Sequence, residues 1–201
     1  MSTKNEEVKN QPEAAPEEKA GKSAKKVRSA EKRVRGYQTS ILRLIIVLLI
    51  VWVLFFKVVG VTHAPNDDMF PRLDGGDLIL YYRLDNNIRS QDVVVVQVAT
   101  PDSPDRKVLY VGRVVAMPGD TVEISDEECL IINGNAVLES KIFYSTPRYE
   151  GFTEYPLTLG PGEYFLLVDS RQGGTDSRYY GAVDRSDILG TAITVMRRNN
   201  L

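Results

Sequence analysis

KVLYVGRVVAMPGD, residues 107–120, opens as a run of Val, Leu and Tyr and closes on Pro-Gly-Asp, which is the signature of a strand entering a sharp turn. Branched and aromatic side chains suit a pleated, half-buried surface. The same rhythm continues in both directions: DLILYYRL (77–84), DVVVVQVAT (92–100), TVEI (121–124), CLIINGNAV (129–137), EYFLLV (163–168) and GTAITVM (190–196) are separated by Gly, Asp, Asn and Pro. Asn133-Gly134 supplies the positive φ angles of a two-residue hairpin. No helical-length stripe of 3.6-residue period follows residue 61. The expected fold is therefore mainly β, with antiparallel sheets forming a sandwich or partly closed barrel, and with residues 144–162 as a long irregular excursion.

Upstream of these strands the character changes. Residues 1–36 are rich in Lys, Glu, Ala, Gln, Ser and Pro and contain no aromatic residue, so they cannot bury enough apolar surface to offset chain ordering. Disorder is expected for the 1–40 tail, with a short helix over 20–35 where it meets anionic lipid. Residues 41–61, ILRLIIVLLIVWVLFFKVVGV, suffice for one helix across about 30 Å of hydrocarbon, with the Lys57 stem reaching toward the headgroups. Residues 1–43 carry 11 Lys+Arg against 6 Asp+Glu, whereas 62–201 carry 13 against 21. This asymmetry predicts a single-pass membrane protein with a cytoplasmic N-terminus and an extracytoplasmic body at 62–201. The triplet THA ending at Ala64 would suit leader cleavage, but the very long basic region before the apolar run favours an uncleaved anchor.

The inventory of reactive groups is sparse. His63 is the single histidine and adjoins the apolar segment, which argues against a Ser-His-Asp triad or a His-built zinc site in the body. Cys129 is the single cysteine, so no intrachain disulfide forms, and it is expected to be a small buried residue. No metal or cofactor site is expected, and an acidic body disfavours nucleic acid. The adjacent acids Asp67 and Asp68 point apart if their segment is extended.

Four stretches taken in order resemble the type I signal peptidases, the S26 family. DMFPRLDGGD keeps Met69, Pro71, Leu73, Gly76 and Asp77 of the family's first box, and SQDVVVV is similar to the next strand. YVGRVVAMPGD keeps Tyr110, Arg113, Val114, Pro118, Gly119 and Asp120, and VDSRQGGTDSRYYG keeps Asp169, Arg171, Asp176, Ser177, Arg178 and Gly181. The resemblance implies a membrane-anchored fold of antiparallel sheets and a serine nucleophile activated by a neutral lysine. It places Asp68 at the serine, Gly112 at the lysine, and Thr175 at a hydroxyl that would hydrogen-bond that lysine. It also implies a structural ion pair between Asp176 and Arg178.

Both substitutions remove chemistry. A carboxylate attacking an amide forms an anhydride more labile than the bond it replaces, and glycine has no amine whose pKa desolvation could lower. In the body only Lys107 and Lys141 remain; Lys107 lies at an odd offset from Gly112 and so on the opposite strand face. A glycine in mid-strand implies either a bulge or an open groove, and the unbroken flanking pattern favours the groove.

The expected function is that of a catalytically inactive, signal peptidase-like membrane protein which binds polypeptide segments by strand addition. Phe70, Tyr81, Tyr82, Tyr110 and Gly112 are the candidate groove positions, each aromatic also admitting a core or membrane-contact role. The chain resembles the SipA-type proteins encoded with Gram-positive pili. That likeness implies a chaperone or accessory role in pilus assembly, with a pilin or other exported polypeptide, and a sortase, as partners, and with lipid contacted through residues 41–61. The alternative is an active membrane-bound signal peptidase with an unorthodox carboxylate site, Asp68 acting with Asp169 or Asp176.

Overall fold

The computed structural model describes residues 16–139, 142 and 144–197, with side chains described from residue 35 onward. It divides into two compact units, one ending at Val53 and the next beginning at Leu54.

Helix α1 spans Pro16–Val58, 43 residues. Its part Arg35–Val58 contains an 18-residue window with a mean hydropathy of 2.8 and is long and apolar enough to cross a membrane. The helix starts well before the expected anchor, at Pro16, where disorder was expected; residues 1–15 of that tail lie outside the described residues. Lys, Glu, Ala and Arg are strong helix formers, and proline is well suited to a first helical position. Poverty in apolar residues argues against a core, whereas extending a helix already nucleated by the apolar segment needs only favourable propagation.

At its other end α1 stops three residues short of the expected boundary. Strand β1, Val59–His63, begins at once and pairs with β2, Leu78–Tyr82. Gly60 permits that pairing, because a Cβ there would meet the Tyr81 ring at 2.1 Å.

The remaining strands are β3 (Val93–Thr100), β4 (Ser103–Ala116), β5 (Thr121–Ile124), β6 (Leu130–Ile132), β7 (Asn135–Ala136), β8 (Leu157–Thr158), β9 (Glu163–Leu167), β10 (Val183–Asp184) and β11 (Ile188–Met196). The short helix α2, Ser177–Tyr180, follows β9. Every pairing is antiparallel. A seven-stranded sheet has the order β1-β2-β11-β3-β4-β9-β10, and a four-stranded sheet the order β7-β6-β5-β8.

The expected mainly β, antiparallel fold is present, and neither sheet closes into a complete barrel. The two-residue strands β7, β8 and β10 stand at edges, too short to carry a closing ladder.

Alternation along β3 and β4 sorts the core. Val94 and Val96 lie opposite Gly112 and Tyr110 and join Val114, Leu166 and Val183 in one apolar cluster. Val95 and Val111 face a second cluster with Ile79, Tyr81, Met69 and Leu73. The small sheet has its own cluster around Val122, Leu130 and Phe165. The hairpin between β6 and β7 turns on Asn133 (φ 54°) and Gly134 (φ 76°), as its sequence predicts.

Cys129 is exposed rather than buried. It ends a turn closed by the Ser125 N–H donating to the Cys129 carbonyl at 2.9 Å, and the inward-facing position falls one residue later, on Leu130.

Candidate functional site

The loop after β1 turns back on itself through N–H bonds from Phe70 to the Asp67 carbonyl (2.9 Å) and from Arg72 to the Met69 carbonyl (3.0 Å). The two acids part company there. Asp67 Oδ1 accepts the Gly75 N–H at 2.6 Å. Asp68 Oδ2 accepts from Asn66 Nδ2 at 2.7 Å and from the Thr175 N–H at 3.2 Å, and the Asp68 carbonyl accepts the Ser170 N–H at 2.9 Å. Asp68 therefore ties its turn to the loop at 168–175. Gly174 (φ 87°) makes the close approach feasible: a Cβ there would lie 2.8 Å from Asp68 Cγ.

That loop is held by three arginine–carboxylate pairs. Arg113 on β4 grips Asp169 through Nε (2.7 Å) and a terminal nitrogen (2.6 Å). Arg171 meets Glu139 at 2.7 Å, and Arg178 meets Asp176 at 2.8 Å with both side chains fully buried. Asp176 also accepts the N–H groups of Val168 (3.1 Å) and Arg178 (3.0 Å), so its remaining lone pairs are used and its desolvation is offset. The sequence named Asp176 and Arg178; Glu139 as partner of Arg171 was invisible to it, because 32 residues separate the two.

Gly112 does not sit in an open groove. It is buried in the unbroken β3–β4 ladder opposite Val94, and a Cβ added to it would come 3.2 Å from Leu166 Cβ. Leu166 is fully buried, and its N–H donates to Ser177 Oγ at 3.0 Å. The space where a long side chain was expected to have left a gap is occupied from the neighbouring strand.

The other candidate positions divide. Tyr81 is a core residue, 4% exposed, and not a groove lining; β2 turns it inward with Ile79 and turns Tyr82 outward. Phe70 is 58% exposed on the turn beside Asp68. Tyr110 is half-buried on the face it shares with Gly112, and its ring lies 5.7 Å from that of Tyr180 on α2. Thr175 contributes its backbone N–H to Asp68.

Tyr149 and Tyr180, neither singled out from sequence, complete these surroundings. The Tyr149 hydroxyl donates to the Gly174 carbonyl at 3.1 Å. Burial raises the pKa of Tyr110, Tyr149 and Tyr180, and the Asp68 charge pushes each in the same direction.

Lys107 is paired with Asp187, far along β4 from Gly112, and Lys141 lies outside the described residues. Among the described residues no cluster of three or more His, Cys, Asp or Glu converges to hold a metal ion. A cavity of about 490 Å³ in the small-sheet region is lined by residues that include Glu127, Cys129, Leu130, Val137, Ile142 and Tyr144, and by none of the residues around Asp68.

Antiparallel sheets behind an apolar helix, with the Met-x-Pro turn and the Asp-Ser-Arg loop locked together, mark a signal peptidase-like scaffold. The family model described as "Signal peptidase, peptidase S26" matches residues 37–197, and the chain belongs to that family. It is similar to signal peptidase I of Pseudomonas fluorescens, 29% identical over 194 residues that cover 74% of this chain and 68% of the relative. Signal peptidase I of Bacillus licheniformis is 30% identical over 134 residues, 62% of this chain and 69% of the relative. A crystal structure of a signal peptidase I from Enterococcus faecalis covers 53% of this chain and 97% of its own, with 26% identity and a TM-score of 0.40.

Proposed function

We propose that this S26 membrane protein is catalytically inactive and binds extended polypeptide segments, assisting pilus assembly with pilins and a sortase at the outer face of the membrane. The observation that carries the loss of catalysis is the presence of Asp68 and Gly112 at the two positions where the family resemblance would put a serine and a lysine. The residue at the nucleophile position is a carboxylate bound into the neighbouring loop, and the position of the base is a glycine covered by Leu166. Lys107 is committed to Asp187. Asp169 and Asp176, the acids that a carboxylate mechanism would recruit, are each held by an arginine, and among the described residues neither bonds to Asp68.

Binding has its own support. Strand β4 pairs with β3 from residue 103 onward but with β9 only from Arg113. Among the described residues, 103–112 thus have one ladder partner, leaving an edge of the kind to which a guest strand adds, with Tyr110 and Gly112 at its inner end. Charge asymmetry across α1 supports a cytoplasmic N-terminus.

The names of the relatives favour the other reading, an active membrane-bound signal peptidase. The full chain in detergent, incubated with a signal-peptide substrate, is expected to release no product. Cleavage that disappears in Asp68→Asn would establish the active enzyme. For the pilus role, deleting the gene is expected to abolish the high-mass pilin ladder, and a normal ladder in the deletant would refute it.

A further inference from the structure

Helix α1 begins well before the apolar segment it carries. Its 43 residues run unbroken from Pro16 to Val58, so the part preceding Arg35 adds about 28 Å of helix at 1.5 Å per residue. This extension is highly charged, with eight Lys, Arg and Glu residues between 20 and 37. Written as heptads with Val27 and Val34 at a, the six a and d positions of that stretch are Ala20, Ser23, Val27, Ala30, Val34 and Tyr37, and none of the eight charges falls on them. Gly21 and Gly36 also miss the stripe, at b and c. The register continues without a slip into the apolar segment as Ile41, Leu44, Leu48 and Val51, and it keeps Arg43 at c.

The period identifies what the stripe is for. A straight helix of 3.6 residues per turn drifts by about 20° per heptad, so a strict seven-residue repeat over 20–51 would wind around a lone helix by roughly 90°. Such a repeat stays on one side only when helices supercoil left-handedly around each other. In the single chain Tyr37, Ile41, Leu44, Leu48 and Val51 are each more than half exposed.

A second copy of this chain fits the stripe better than lipid does. A helix lying on the headgroups has to turn at the membrane surface, whereas α1 continues through residues 35 and 36 without a break. Copies that share one orientation in the membrane bring their α1 helices together in parallel. In a parallel pair each g position meets the e position of the partner's next heptad, and here Lys26 at g meets Glu31 at e, the one acidic residue between 20 and 37. Five of the seven basic residues in that stretch fall at b, c or f, remote from the seam. Val27, Val34 and Ile41 put β-branched residues at a, the choice that favours two strands.

We infer that α1 pairs with α1 of a second copy as a parallel two-stranded coiled coil from Ala20 through Val51, joining the protein as a dimer at its anchor. This dimer does not depend on the guest-binding reading.

The test uses the full chain in native membranes, with Cys129→Ser as background and single cysteines introduced along α1. Copper-phenanthroline oxidation is followed by non-reducing gels, with reduced gels to equalise the amount of chain. Val27→Cys and Val34→Cys, at a, are expected to give a disulfide-linked dimer, because a positions face each other across the seam. Lys25→Cys and Lys32→Cys, at f, are expected to give none. Adding Lys26→Glu to the Val34→Cys chain is expected to lower the dimer fraction about twofold, and adding Glu31→Lys as well to restore it, since the pair is then reversed. Equal crosslinking at a and f overturns the register. Crosslinking at neither, or only at Leu48→Cys inside the apolar segment, overturns the paired extension. A charge reversal that restores nothing overturns the parallel alignment.

Discussion

Leu166 Cβ lies 3.2 Å from the point that a Cβ on Gly112 would occupy. Leucine and glycine are thus complementary across β4 and β9, the absence of one side chain matched by the presence of the other. Gly112→Lys is expected to destabilise the body by about 1–3 kcal/mol through overpacking, measured by denaturant titration of the full chain in detergent. Adding Leu166→Ala to Gly112→Lys should return part of that loss, so that the two changes are non-additive. Simple additivity would mean that Leu166 does not fill the space. For the same reason Asp68→Ser with Gly112→Lys is expected to recover a trace of peptidase activity at most.

The Asp176–Arg178 pair is fully buried, so removing one member strands the other. Asp176→Ala is expected to cost about 3–5 kcal/mol. A double replacement of the pair by apolar residues of similar volume should cost much less, because no charge is then left uncompensated. Thermal unfolding of the two variants side by side distinguishes a stranded charge from a simple loss of packing.

Asp68 as an architectural tie makes a local prediction. Asp68→Leu leaves the Thr175 N–H without its acceptor, a loss of about 1–3 kcal/mol, and hydrogen exchange at Thr175 should accelerate. Asp68→Asn retains an oxygen at that position and should preserve most of the protection. Unchanged exchange in Asp68→Leu would detach the carboxylate from the loop.

Alkaline pH tests the tyrosines. Burial raises the Tyr180 pKa well above its ordinary 10.0, so the folded state holds its proton where the unfolded chain releases it. The stabilisation is complete below pH 10 and is lost as pH rises from there toward the folded pKa. Tyr110 and Tyr149 shift in the same direction. Denaturant midpoints should therefore fall above pH 10 in the wild type and fall less steeply in Tyr180→Phe. Identical slopes would show that Tyr180 titrates alike in both states.

The open side of β4 can be probed directly. A photoreactive phenylalanine analogue at Tyr110 is expected to crosslink guest polypeptide in cells, whereas the same analogue at Tyr81, buried at 4% exposure, should not. Equal labelling from both positions would remove the case for an edge at residues 103–112.

Much of the architecture was legible because it is local. The β-branched run in DVVVVQVAT, the Asn133-Gly134 pair and the Pro-Gly-Asp turn each act through their own backbone, and the structure uses them as sequence suggests. Period two also says that Tyr81 and Tyr82 face opposite ways, but not which one is inside. That choice came from the cluster of Met69, Leu73 and Val95 that Tyr81 joins. Gly112 misled for a related reason, since a missing side chain predicts a gap only until the strand across from it is known.

The order of residues alone made the apolar helix and the antiparallel strands legible and put an aspartate at residue 68 and a glycine at residue 112, because propensity, hydrophobic period and chemical identity belong to short stretches of chain. Tertiary structure alone decided that Leu166 packs against Gly112, that Arg113 pairs with Asp169 and Arg171 with Glu139, and that Asp68 is tied to the loop at 168–175. Those outcomes depend on contacts between residues tens to more than a hundred positions apart, as in the Asp68–Thr175 bond, and they are set by how strands and loops pack against one another rather than by the preferences of any segment.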